Sequence, residues 1–214
     1  MANDLKFKGI VFFGEPGTGK TTVAMALQEK IPDSKFFEIS EEIIKRLASV
    51  REFPDSIKEL VKNLMSLPKT EINREDARSL FVRLEKKYKG DAIAQILGEL
   101  TLTGYFSKSF PIIPGARGLS KAKYLKSLGY LIVFLKTDRE IIIERRLKQR
   151  GETREETIKD LEEEEKIYQT SEIETMADLI FDTGVDKIPY IHILIIQTVE
   201  SRYKHKSCRG QSQF

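Results

Sequence analysis

The chain has 214 residues, 40% of them hydrophobic, and no run approaches the ~20 apolar residues of a membrane helix, so one α/β domain fits and a helical membrane protein does not. Its 36 basic and 33 acidic side chains leave a net charge of +3, too balanced for bulk charge to indicate a nucleic-acid partner. Cys208 stands alone, which excludes an internal disulfide framework and points to a reducing compartment, the cytoplasm.

Residues 1–8 are polar and lead directly into a strand, so they are not read as a signal peptide. That first strand is Ile10-Val11-Phe12-Phe13, a short apolar run of β-branched and aromatic residues. Gly14-Glu15-Pro16-Gly17-Thr18-Gly19-Lys20-Thr21 follows and fits G-x-x-x-x-G-K-[ST], the phosphate-binding loop. Thr22 then begins a helix that carries Val23, Ala24, Ala26 and Leu27 at helical spacing. Strand, Gly-rich turn and helix are the context that the motif requires. The glycines let successive backbone N–H groups converge on a phosphate at the positive end of the helix. Lys20 is expected to reach the β- and γ-phosphates of ATP, and the Thr21 hydroxyl to ligate Mg²⁺.

The second strand is expected at residues 35–39. Ser40 then caps a helix with Glu41 and Glu42 in its first turn. Helices are expected at 56–67, from Asn73 to 88, and at 91–102, between Pro54 and the next strand at 110–113. A βαβ crossover needs one helix, so the surplus at 54–88 reads as an insertion that could bind an acceptor. Pro114-Gly115-Ala116-Arg117-Gly118 forms the next turn, and Ser120 opens a helix that Gly129 ends. A strand is expected at 130–135, a helix capped by Asp138 at 139–150, and a highly charged helix from Thr153 through Glu156, Ile158, Leu161 and Ile167. The last strand is expected at 177–181, followed by the turn Asp182-Thr183-Gly184, a helix at 186–203 and a polar tail at 204–214.

This alternation, with a phosphate loop after strand one, predicts a parallel, doubly wound sheet, and resemblance to the P-loop NTPases implies a three-layer sandwich with five strands in the order 2-3-1-4-5. The turns after Phe13, Ile113 and Phe181 all fall at the carboxyl edge, where such sheets bind ligands. Phosphoryl transfer needs cations that hold two anionic substrates in line, and arginine suits this through its planar fork. Arg146 and Arg150, four residues apart on one helix face in the run ERRLKQRG, are candidates. The acidic run 162–165 points around its helix and reads as a solvated face. His192, on an apolar helix face, reads as structural. Arg145, Lys148 and the basic tail could form a nucleic-acid patch, but no aromatic residues are interleaved with them and nucleic acid is not the expected partner.

The sequence order of GEPGTGKT, a strand with PGARG, ERRLKQRG and ADLIFDTG resembles the adenylate kinase and nucleoside monophosphate kinase superfamily. In detail it is most similar to the adenylate-kinase-related, dephospho-coenzyme-A-kinase-like branch, over roughly residues 10–184. The resemblance implies that Arg146 and Arg150 belong to a short lid at about 146–157, one packing on the ATP base and the other contacting the transferring phosphates. It implies that Arg117 contacts the acceptor phosphate, that Ser40, Arg46 and Arg83 belong to the acceptor side, and that Thr183 and Gly184 lie against the nucleobase. The chain departs from the family at Pro114, where an aspartate usually orients Mg²⁺. Glu15, Asp138 or another carboxylate would have to compensate, or metal binding is weak. It departs again at Leu161, close to where many monophosphate kinases carry an arginine.

The expectation is an ATP- and Mg²⁺-dependent kinase of one domain, residues 1–203, acting as a monomer or homodimer on a nucleoside or deoxynucleoside monophosphate. The alternatives are a dephospho-coenzyme-A-like metabolite kinase and a nucleotide-dependent regulatory protein of low turnover.

Overall fold

The computed structural model describes residues 7–37, 109–151 and 153–200. The helices expected between 40 and 102, with Ser40, Arg46 and Arg83, lie outside the described residues, as does the tail from 204.

Five described strands form one parallel sheet in the order β2-β3-β1-β4-β5: β1 (Ile10–Phe13), β2 (Ser34–Phe36), β3 (Phe110–Ile113), β4 (Leu131–Lys136) and β5 (Leu179–Asp182). The order is the expected one. β1 lies at the centre, with Ile10 opposite Ile112 on one side and Leu131 on the other. All four of its residues are fully buried, as a strand covered on both faces demands.

Alternation along the strands sends Ile10, Phe12, Leu131, Val133 and Leu135 into one cluster with Val23, Ala24 and Leu27 of α1 (Lys20–Gln28) and Ile191, Ile195 and Val199 of α6 (Ile188–Glu200). The helices α2 (Leu119–Ser127) and α5 (Thr170–Met176) pack on β4 and on each other, and none of their side chains joins that cluster. They cover the opposite face, which makes the three layers.

The helix pair α3 (Arg139–Arg150) and α4 (Arg154–Tyr168) is set by local capping. The Asp138 carboxylate accepts the Glu140 N–H at 2.8 Å, and Gly151 closes α3 in the left-handed conformation. Thr153 and Glu156 form a reciprocal capping box that starts α4. Leu161 of α4 is buried with Ile142 and Ile143, so the apolar residue noted as a departure seals this pair.

Several expected boundaries shift. The second strand starts at Ser34, because Asp33 adopts a positive φ of 58° and its carbonyl accepts the Phe110 N–H. Gln169, with φ of 51°, ends α4 and opens α5, a helix that the sequence reading lacks. Ala177 caps that helix, so the last strand runs at Leu179–Asp182 rather than 177–181.

His192 is 2% exposed on α6, and its Nε2–H donates to the Val23 carbonyl of α1 at 3.2 Å, a structural role as expected. Burial, ahead of every other cause, holds its pKa below the ordinary imidazole value. The unfolded chain therefore takes up a proton near pH 6.5 that the folded chain refuses, and stability falls as pH drops through that range. Denaturation midpoints from pH 7.5 to 5.5 are expected to decline more for the wild type than for His192→Gln. Parallel declines would contradict this.

Candidate active site

The loop between β1 and α1 takes its shape from glycine. Gly14 has φ of 132°, and a Cβ there would meet the backbone oxygen of Leu135 in the neighbouring strand. Gly19 caps α1 with φ of 84°, no side-chain cap and no acidic residue in the first turn. The positive end of α1 therefore carries no side-chain cap or acidic group that would repel an anion. Thr18 fixes the turn inside the loop: its hydroxyl donates to the Glu15 carbonyl at 2.8 Å, and its side chain is 1% exposed. The Lys20 ammonium folds back over the loop and donates to the Gly14 and Glu15 carbonyls, both at 2.7 Å. Thr21 and Thr22, at the start of the helix, are exposed. A cation over a ring of backbone donors with an exposed hydroxyl beside it fits a nucleotide triphosphate tail.

Two flanking elements hold the loop. The Thr183 hydroxyl, in the turn after β5, donates to the Thr18 carbonyl at 2.9 Å. The Gly184 N–H is held by the Asp182 carboxylate at 2.9 Å. From the other side, the Arg145 guanidinium of α3 donates to the Gly17 carbonyl at 3.0 Å. The sequence reading placed Arg145 in a basic patch. No local pattern signals its contact with the loop, because the contact arises only when α3 packs against it.

The expected arginines divide. Arg146 is 1% exposed, its alkyl stem lies near Gly17, and its Nη2 donates to Asp160 of α4 at 3.0 Å. The side chain of Arg150 lies outside the described residues. Arg117 follows β3 and lies across a cleft from the phosphate loop. That cleft is lined by Gly14, Glu15 and Pro16 of the loop together with Arg117, Glu164 and Tyr168. Arg117 Nη1 donates to Glu164 at 2.9 Å and lies 5.5 Å from the centre of the Tyr168 ring. The reading of 162–165 as a solvated face therefore holds for Glu162 and Glu163 and fails for the other two. Glu164 is paired, and Glu165 accepts the Thr170 and Ser171 N–H groups at 3.1 Å each, capping α5. Burial raises the pKa of Glu15, and the charges of Glu165 and Glu164 add to the effect, against Arg139 and Lys20.

Pro114 is buried at the position where the resembled family carries its metal-orienting aspartate. Asp138 is engaged as the cap of α3. Among the described residues no group of three or more His, Cys, Asp or Glu could hold a metal ion. The exposed Thr21 hydroxyl would fit a Mg²⁺ carried on substrate phosphates.

A family model described as an AAA domain matches residues 10–174, which run from the first strand through the loop, α3 and α4 to α5. The chain belongs to this AAA domain family. The matched span holds the phosphate loop, Arg117, Arg146 and Arg150, while the Thr183–Gly184 turn lies beyond it. Among solved structures, the chain is similar to shikimate kinase from Aquifex aeolicus, at 19% identity and TM-score 0.53 over 91% of this chain and 98% of that one. It is similar to TT1252 from Thermus thermophilus at 17% identity and TM-score 0.54, over 92% and 98%. It is also similar to shikimate kinase from Bacteroides thetaiotaomicron at 17% identity and TM-score 0.50, over 88% and 95%. At these identities the likeness is one of fold, that of the P-loop kinases. No curated protein matches the chain. Among the described residues no helix is long and apolar enough to cross a membrane.

Proposed function

We propose that this AAA-family protein is an ATP-dependent phosphotransferase that moves the γ-phosphate of ATP to a small phosphorylated acceptor, a nucleoside or deoxynucleoside monophosphate. The observation that carries the reading is the cleft in which the phosphate loop faces Arg117. The start of the loop, Gly14 to Pro16, and a cation suited to a second phosphate line the same cleft.

In this reading Lys20 exchanges the carbonyls of Gly14 and Glu15 for β- and γ-phosphate oxygens, while the loop N–H groups and the α1 terminus hold the β-phosphate. Mg²⁺, when bound, neutralises charge on the β- and γ-phosphates, and Thr21 is its ligand from the chain. Arg117 presents the acceptor phosphate. One of its oxygens forms the new bond to the γ-phosphorus as the bond to the β-bridging oxygen breaks, and ADP departs. A phosphate dianion carries no proton at the attacking oxygen, so positioning suffices without a base. Arg146 and Arg150 supply further charge at the lid, and the Thr183–Gly184 turn faces the nucleobase. Ser40, Arg46 and Arg83 serve the acceptor side. The acceptor lobe at about 54–88 and the lid at about 146–157 belong to one kinase domain.

Arg117→Ala is expected to raise the KM for the acceptor about 10- to 100-fold, from the loss of charge-assisted hydrogen bonds, with the KM for ATP changed less than threefold. Steady-state kinetics with each substrate varied in turn checks this. Equal loss for both substrates would contradict the placement of Arg117.

Pro114 favours a second reading, a nucleotide-dependent regulatory protein with slow turnover. Acceptor-independent hydrolysis of ATP would support it, and rapid transfer to a monophosphate would exclude it.

A further inference from the structure

Arg117, the cation that faces the phosphate loop, already holds an anion. Its Nη1 donates to Glu164 Oε1 at 2.9 Å, and its guanidinium carbon lies 5.5 Å from the Tyr168 ring centre. Glu164 and Tyr168 are four residues apart on α4, so one helix face supplies both contacts. The Glu164 side chain is 15% exposed, against 42% for Arg117. The neighbouring Glu165 accepts two backbone N–H groups and the Ser171 hydroxyl at the start of α5. Glu165 is therefore committed to the fold, and Glu164 to Arg117. Glu15 lines the same cleft and adds a third carboxylate.

We propose that Glu164 is a specificity-determining residue of the acceptor cleft: its carboxylate occupies the anion position on Arg117, and an acceptor must displace it, which selects a phosphomonoester dianion over a carboxylate monoanion. The charge count supports this. A carboxylate entering the cleft exchanges one single charge for another beside Glu15 and gains little. A phosphate brings two charges and more acceptor oxygens to the guanidinium fork. The identification of this anion with the reaction's acceptor rests on the kinase reading above. The pairing itself does not.

Isothermal titration of inorganic phosphate at pH 8 and fixed ionic strength, into the full chain with its loop filled by MgADP, tests the assignment. Because the pair is partly exposed, Glu164→Gln is expected to bind phosphate about three- to fivefold more tightly than wild type. Acetate is expected to bind measurably to the variant and not to the wild type. The double variant Arg117→Ala/Glu164→Gln should lose both gains, and Glu164→Ala, checked for an unchanged circular-dichroism melt, should reproduce those of Glu164→Gln. Phosphate affinity equal in wild type and Glu164→Gln, or a gain that survives the loss of Arg117, overturns the proposal. If no monophosphate is turned over but the Arg117-dependent gain appears, the kinase reading falls and the role of Glu164 stands. If a monophosphate is turned over with phosphate affinity and acceptor KM unchanged in Glu164→Gln, the kinase reading stands and this assignment falls.

Discussion

Lys20→Ala is expected to lower ATP-dependent turnover by about two to three orders of magnitude, the loss typical when a group that stabilises transition-state charge is removed. The fold should survive. Lys20 lies at the open end of α1 and makes its hydrogen bonds to loop carbonyls, with none of its atoms in the hydrophobic core. Two measurements separate these effects: ADP release under saturating ATP, and the melting temperature without nucleotide. A melting temperature within a few degrees of wild type with turnover near background is the expected pair of results. Near-normal turnover would remove Lys20 from the phosphate site. A collapsed fold would show instead that its bonds to Gly14 and Glu15 hold the loop together.

Gly14→Ala is the second large effect, and it acts on stability. The position combines φ of 132° with a Cβ that would lie against the Leu135 carbonyl oxygen, backbone that cannot yield without moving β4. Strained backbone alone costs about 1–3 kcal/mol, and displacing a central strand adds to it, so a loss of ~3 kcal/mol or more is expected. Gly19→Ala meets the positive φ of 84° but open space, and should cost roughly 1–2 kcal/mol. Gly115→Ala meets neither obstacle and should fall within about 0.5 kcal/mol of wild type. Chemical denaturation of the three variants gives the ranking. Equal losses at Gly14 and Gly115 would contradict the close approach of the loop to β4.

The features legible in the sequence are those set by neighbours in the chain. β1, the loop and the start of α1 follow from a local motif, and β3 lies at Phe110–Ile113 as expected. Helix α3 begins at Asp138 and ends at Gly151 because both caps are local. The parallel, doubly wound sheet followed from the motif and the alternation of elements, and its strand order from the resemblance to P-loop proteins. The features that were not legible depend on packing between distant segments. Arg117 and Glu164 are 47 residues apart and meet only when α4 packs against the turn after β3. Arg145 and Gly17 are 128 residues apart, and helical spacing alone favoured Arg146 and Arg150 as the pair at the site. The run 162–165 shows the same limit, since its pattern is that of a solvated face until α5 and Arg117 claim two of its carboxylates. Helix α5 itself was hidden by Gln169, because a left-handed break at a residue other than glycine leaves no compositional signal.

The site has a clear division of labour. The loop and Lys20 suit a donor triphosphate, Arg145 and Thr183 hydrogen-bond the loop, and Arg117, paired with Glu164 of α4, lines the same cleft as its start. In the proposed donor site, Pro114 would offer the metal no ligand.

The most direct test is a coupled ADP-release assay with ATP and Mg²⁺ against a panel of ribo- and deoxyribonucleoside monophosphates and dephospho-coenzyme A. Stimulation by a monophosphate, with the matching diphosphate as product, is the predicted result. Slow hydrolysis that is indifferent to every acceptor would contradict it and make the loss of the aspartate at Pro114 the decisive feature.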